Sequence, residues 1–170
     1  MKKINVRTLI QVAMLIAIEI VLSRFCSITT PIMKIGLGFV PIAVCGMLYG
    51  PIWAGAAGGV ADVIGAVLFP SGPFFPGFTV SAVLTGIIFG LLLRRDETGW
   101  TRLSLAVVLN ILGVSLCLNT FWLAHLWGTP FLVILPTRVV QALIMIAIQF
   151  TLLQLIRRPV RRYFHREGHV

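Results

Sequence analysis

Apolar runs of about membrane-spanning length recur along this chain, each cut off by a short polar or turn-forming stretch. A run of roughly 20 apolar residues crosses a bilayer as a helix, because a helix satisfies its own backbone hydrogen bonds. The runs lie at approximately 5–22, 37–49, 52–69, 77–93, 103–125 and 137–157. The breaks carry the punctuation: SITTPIMKIGLGFVP at 27–41, Gly50-Pro51, PSGPFFP at 70–76, a polar stretch at 94–102, and 126–136 with Gly128-Thr129-Pro130. Proline lacks an N–H and glycine tolerates unusual backbone angles, so both end helices; Pro136 suits the first turn of the last run. The expectation is an all-α integral membrane protein, one six-transmembrane-helix bundle covering residues 1–170.

Composition agrees. Charged residues make up 11% and mean hydropathy is +1.01, whereas a soluble domain is about a quarter charged. The formal net charge of +9 would raise nucleic acid as a partner of a soluble protein. In a membrane protein it reports topology instead, because lysine and arginine stay on the inner side. With the N-terminus inside, 11 of the 14 cations are internal: Lys2, Lys3, Arg7, Arg94, Arg95, Arg102, Arg157, Arg158, Arg161, Arg162 and Arg166. Both termini are then cytoplasmic, and the arginine-rich tail is placed to touch anionic lipid. No A-x-A cleavage site follows the first run, and Ser-Arg-Phe before Cys26 matches a lipoprotein site poorly, so the first span is expected to remain uncleaved.

Three cations fall on the outer side. Arg24 ends the first run, Lys34 sits in the first outer loop, and Arg138 begins the last run. They can snorkel to headgroups, or they can form an anion trap in which arginine grips a carboxylate bidentately. Glu19, Asp62, Asn119 and Gln141 lie in the outer halves of their spans, with Asp62 about 10 Å below the outer end. Such groups are unfavourable in lipid and turn to an interior or a cavity. Either they form salt bridges, Glu19 with Arg24 or Asp62 with Arg138, or they meet the N–H groups of a heterocycle. Asn110 lies deeper and is expected to bond a neighbouring helix. Phe69, Phe74, Phe75 and Phe78 crowd the second outer loop, and Trp122 and Trp127 end the fifth run on the same side. Trp127 fits an interface belt; the phenylalanines could line a slot for a flat ring. Small residues at four-residue spacing, Ala13 and Ala17, Gly55 and Gly59, Gly86 and Gly90, permit close helix approach. The glycine pairs are expected to pack inside the bundle, and the alanine pair could face a partner.

Catalytic signatures are missing. Ser71 and His125 share the outer side, yet no nucleophile motif surrounds Ser71. No HExxH, Walker A or metal-ligand spacing occurs. Cys26, Cys45 and Cys117 read as small apolar residues, and no disulfide framework is indicated. No internal repeat is evident.

The chain resembles the folate-specific substrate-binding (S) component of energy-coupling factor (ECF) vitamin transporters. The resemblance is carried by RFCSITTPIMKIGLGFVP (24–41), GMLYGP (46–51), ADVIGAVLFPSGPFFPGFTVSAVLTGIIFG (61–90) and the Ala13/Ala17 pair; beyond residue 90 only the general pattern agrees. It implies a non-enzymatic subunit of a prokaryotic cell membrane, without cofactor, metal or nucleic acid. That subunit would bind folate in an outward-facing pocket closed by the first loop. It would deliver folate for ATP-driven uptake with a transmembrane coupling subunit and two ABC-type ATPases. The family is thought to topple in the membrane, and Ala13 and Ala17 would meet the coupling subunit. On this reading Arg24 and Arg138 hold the glutamate carboxylates, with Lys34 assisting. Phe74, Phe78 and Trp122 pack the rings, and Asn119, Gln141 or Asp62 bond the pterin edge. The alternatives are an S component for another heterocycle, a stand-alone carrier, and an intramembrane hydrolase using Ser71 and His125.

Overall fold

The computed structural model describes residues 6–29, 34–70, 73–94 and 99–167. Helix α1 is Val6–Arg24. A short antiparallel hairpin follows, β1 (Ser27–Thr29) with β2 (Lys34–Gly36), in which Ser27 faces Gly36 and Thr29 faces Lys34. Then come α2 (Phe39–Tyr49), α3 (Pro51–Leu68), α4 (Pro76–Leu93), α5 (Trp100–Val108), a π-helical segment Leu109–Leu118, α6 (Asn119–Trp127) and α7 (Phe131–Glu167). Helices α5 and α6 and the π segment form one continuous rod, Trp100–Trp127. The chain is an all-α membrane protein apart from the hairpin. Among the described residues five helical stretches are long and apolar enough to cross a bilayer: Val6–Arg24, Pro51–Leu68, Pro76–Leu93, Trp100–Trp127 and Phe131–Arg157. Helix α2, with 11 residues, reaches only about 16 Å at 1.5 Å per residue, roughly half a hydrocarbon core.

The helix ends follow from local chemistry. Gly50 is both the C-cap of α2 and the N-cap of α3, at φ 87°. A side chain there would be strained, and Pro51 at the first helical position starts α3 with its φ already set. Gly128, at φ 62°, closes α6 in the left-handed region.

Three local expectations need correcting. The stretch 27–41 is not simply a loop, because part of it pairs as the hairpin. The expected break at 126–136 shrinks to Gly128–Pro130, with α6 continuing to Trp127 and α7 starting at Phe131. Pro136 therefore lies inside α7 rather than in its first turn. The ring removes one backbone bond there, in a part of the helix where the preceding turn is already short of partners. Finally, the fifth run is no uniform α-helix: the Asn119 N–H bonds the Val114 carbonyl five residues back, which widens the helix and shifts its register.

Helices α2, α3 and α4 meet along a seam of backbones. A Cβ on Gly58 would lie 2.6 Å from the Ala82 carbonyl oxygen, and one on Gly86 would overlap the Ala54 carbonyl. Gly90 lies against Pro51, and a Cβ on Gly46 would lie 2.8 Å from the Gly90 nitrogen. At these glycines α2 and α3 each touch α4 main chain to main chain. Gly55 and Gly59 also turn toward α4, against Ile87 and Val83. A polar link joins the other half of the molecule. Thr85 Oγ1 donates to Asn110 Oδ1 (2.9 Å), and Asn110 Nδ2 donates to Gln149 Oε1 (3.2 Å), tying α4, the π segment and α7 together. Asn110 does bond its neighbours, as its depth suggested.

Candidate functional site

Chemistry-bearing residues gather at three places in the bundle. The first is the junction of α1 and the hairpin. Arg24 is half-buried, and its guanidinium lies on α3 over Gly65, where a Cβ would meet Nε at 3.0 Å and Nη2 at 3.2 Å. One turn back, Ser23 and Glu19 border Gly38: a Cβ on Gly38 would sit 2.8 Å from Ser23 Cβ and 3.0 Å from Glu19 Oε1. Ser27 Oγ donates to the Ser23 carbonyl at 2.6 Å, which ties β1 to the end of α1. Gly36 faces Ser27 so closely that its own Cβ would lie 2.7 Å from Ser27 Cβ. The hairpin is therefore fixed at its base. Lys34 contributes its backbone to β2; its side chain lies outside what the structure describes.

The second place is aromatic. Phe75 stands at the centre, with ring centroids 6.2 Å from Phe78, 5.6 Å from Trp122 and 6.1 Å from His125. Trp122 donates its indole N–H to Ser81 Oγ at 3.3 Å. Gly77 lies beneath the rings: a Cβ there would come 2.5 Å from Trp122 Cδ2 and 2.6 Å from Phe75 Cε1. Of the expected ring contacts, Phe78 and Trp122 thus share one cluster. Phe74 does not join it, being 53% exposed. Phe75 takes the central place because it precedes Pro76 and must be extended, at φ −134° and ψ 121°. The pre-proline position is the sequence signal that distinguishes it from Phe74. The expected partner of a hydrolytic His125, Ser71, falls outside the described residues, and the His125 ring lies against Phe75.

The third place is polar. Arg138 is 7% exposed and Gln141 4%, and Arg138 Nη1 donates to Gln141 Oε1 at 2.9 Å along α7. Arg138 Nε, Asn119 Oδ1 and Thr120 Oγ1 are all buried and have no hydrogen-bond partner among the described residues. Asp62 instead accepts from Thr79 Oγ1 at 2.8 Å, across the α3–α4 seam; the alternative of an Asp62–Arg138 bridge is not what the structure shows. Thr79 and Thr120 were not among the sequence candidates.

Ala13 and Ala17 are exposed on α1, beside exposed Val6, Leu9, Ile10, Met14, Ile18 and Val21. On that helix only Val12 and Ser23 are buried. Among the described residues no three His, Cys, Asp or Glu side chains gather as a metal ion would require.

Comparisons with known proteins agree over most of the chain. The family described as "ECF transporter, substrate-specific component" matches residues 7–157. The chain is 44% identical to a folate transporter FolT of Clostridium novyi over 148 residues, covering 87% of this chain and 85% of the relative. It is 36% identical to a folate transporter FolT of Leuconostoc mesenteroides over 154 residues, covering 86% and 82%. A crystal structure of FolT bound with folic acid superposes with a TM-score of 0.87 at 32% identity, covering 92% of this chain and 98% of the other.

Proposed function

The chain belongs to the family of substrate-specific components of ECF transporters, and from that premise we propose that it is a high-affinity folate-binding membrane subunit. The observation that carries this reading is the likeness, over 92% of the chain, to a protein whose structure holds folic acid. The local chemistry supports it. Folate joins a flat pterin and a benzoyl ring to a glutamate with two carboxylates. The Phe75–Phe78–Trp122 cluster can pack the flat rings, where aromatic pairs contribute beyond simple area burial. Arg24, at the base of the hairpin, can take a carboxylate, and Lys34 on β2 lies in the segment that would close over it.

Binding and closure are the whole task of such a subunit; no bond is made or broken. The hairpin is the natural lid, because Ser27 ties its base to the end of α1. Closing it would expel water and strengthen every charge–charge contact beneath. The six-span topology with both termini cytoplasmic follows from the cation distribution, with α2 as a short second span. Energy would come from outside this chain, from a transmembrane coupling subunit and two ABC-type ATPases in a prokaryotic cell membrane. The exposed Ala13/Ala17 face of α1 is the surface small enough for close docking by the coupling subunit.

The test is folic acid binding to the purified, detergent-solubilised chain alone, followed by fluorescence of Trp53, Trp100, Trp122 and Trp127, with thiamine, riboflavin and biotin as controls. Saturable and selective binding at submicromolar concentration is expected. A folded protein that ignores folic acid and responds to a control vitamin would replace folate with that ligand.

A further inference from the structure

We propose that the hydrogen bond between Tyr49 and Gln11 sets the rotation of α1 about its own axis and so positions the Ala13/Ala17 face for the coupling subunit; this rests on the coupling role proposed above. Helix α1 is held loosely by packing. Of its 19 residues only Val12 and Ser23 are buried, and a stripe of large apolar side chains from Val6 to Val21 is exposed. A helix with so few buried contacts has little local stability, and polar contacts then decide which face it presents. At its C-terminal end the Arg24 guanidinium lies over Gly65 of α3. In its N-terminal half Gln11 Oε1 accepts a hydrogen bond from the Tyr49 hydroxyl. Both groups lie within apolar helices, where little water competes for the bond.

Tyr49 is a fixed post. It is the last residue of α2, half-buried and packed against the hydrophobic core. The next residue, Gly50, donates its N–H to the Gly46 carbonyl at 3.1 Å, and a Cβ on Gly50 would meet Arg94 Cδ and Nη1 at 2.9 Å. Gly46 itself lies against the main chain of Gly90 on α4. The phenol is therefore mounted on the same close-packed seam that joins α2 to α4, and α1 is the part that adapts.

At about 100° per residue, Ala13 and Ala17 lie roughly 200° and 240° round α1 from Gln11. The bond thus holds α1 from the side opposite the alanines. Leu9, Ile10 and Met14 flank the alanines and are all exposed. A side-chain surface stands about 5 Å from the helix axis, so a turn of ~20° moves it by roughly 2 Å. Such a turn brings a bulky neighbour forward where only small residues permit close helix approach. The Tyr49–Gln11 bond opposes that turn, so both are positioning residues for the partner, although Tyr49 lies on a different helix from the docking face.

The test compares the full-length wild type with Tyr49→Phe, which removes only the hydroxyl, with Gln11→Leu, and with the double variant. Folic acid is titrated against each chain alone. Affinity for the coupling subunit, co-expressed with its two ABC-type ATPases, is then measured for each in the same detergent. Each single variant is expected to keep the wild-type affinity for folic acid and to bind the coupling subunit roughly 3- to 15-fold more weakly, as for one hydrogen bond between membrane helices. The double variant should be no weaker than either single one, because both changes remove the same bond. If Tyr49→Phe lowers the unfolding midpoint but leaves affinity for the coupling subunit unchanged, the bond serves stability alone and the inference is refuted. If the losses of the two single variants multiply in the double variant, the residues act separately and it is again refuted. Should Gln11→Leu not fold, Tyr49→Phe alone decides between a loss and no loss of partner affinity. A wild type that binds folic acid but no coupling subunit overturns the coupling role itself, and this inference with it, before any variant is considered.

Discussion

Replacing Gly77 with alanine tests the aromatic cluster more sharply than removing one of its rings. On backbone grounds alone the change should help, because alanine is favoured over glycine in a helix by up to about 1 kcal/mol. The surroundings argue the other way. The new Cβ would start 2.5 Å from Trp122 Cδ2 and 2.6 Å from Phe75 Cε1, where carbon atoms prefer about 3.5–4.0 Å. Both rings must retreat by roughly 1 Å, since α4 cannot: Gly86 and Gly90, further along the same helix, already rest on the main chain of α3. Overpacking of this kind costs about 1–3 kcal/mol. A shift of the indole also stretches its 3.3 Å bond to Ser81, whose loss adds about 1 kcal/mol. The overpacking outweighs the helix preference. Because the rings can relax outward when no ligand is bound, the strain should emerge mainly as lost affinity, roughly 5- to 30-fold for one to two kcal/mol. The assay is folic acid titration with thermal unfolding in the same detergent. A Gly77→Ala variant that binds folic acid as tightly as wild type and melts at the same or a higher temperature would refute the placement of Phe75 and Trp122 in the site.

Three further outcomes are expected. Arg24→Ala should lower folic acid affinity by roughly 10- to 100-fold while leaving the thermal midpoint nearly unchanged, because the half-buried side chain lies over Gly65 at the end of α3; unchanged affinity would remove Arg24 from the site. Ala17→Leu should leave folic acid binding intact, since Ala17 is exposed, but abolish copurification with the coupling subunit and ATP-driven uptake; normal uptake would clear α1 of an interface role. Asn110→Leu removes the link between Thr85 and Gln149 and should destabilise the bundle by about 1–2 kcal/mol, read as a lower unfolding midpoint; an unchanged midpoint would show that the network contributes nothing to stability.

The helical architecture was legible because hydrophobic runs and turn residues obey local rules: Gly50-Pro51 stops one helix and starts the next wherever it occurs. The hairpin was not legible, since pairing two three-residue strands depends on Ser27 meeting Gly36 rather than on either segment's own pattern. Nor was the π segment, because LNILGVSLCL carries no residue that forbids an ordinary helix. Its wider turns rotate everything that follows, so the buried face of α6 falls on Thr120 and Leu123. Thr120 escaped notice for a related reason: a threonine in an apolar helix usually bonds the carbonyl one turn back. Only coordinates show that this one does not. Glu19 and Arg24, in contrast, could be paired from their spacing alone; the structure places Glu19 beside Gly38 and Arg24 over Gly65.

The two halves of the chain divide the work along physical lines. Helices α2, α3 and α4 meet through glycine and alanine backbones, and such contacts have no rotamers to change. Any separation of α3 from α4 would forfeit close packing along Gly58, Gly86 and Gly90 at once. That half is a scaffold, and it explains why residues 46–90 are rich in small side chains. The rod Trp100–Trp127 and α7 are built differently. They carry the π segment, the buried amides of Asn110 and Gln149, and the unpaired atoms of Asn119, Thr120 and Arg138. Because Arg24 lies on α1 and the Phe75–Phe78 pair at the start of α4, while Trp122 lies on α6, selectivity for one vitamin would draw on both halves.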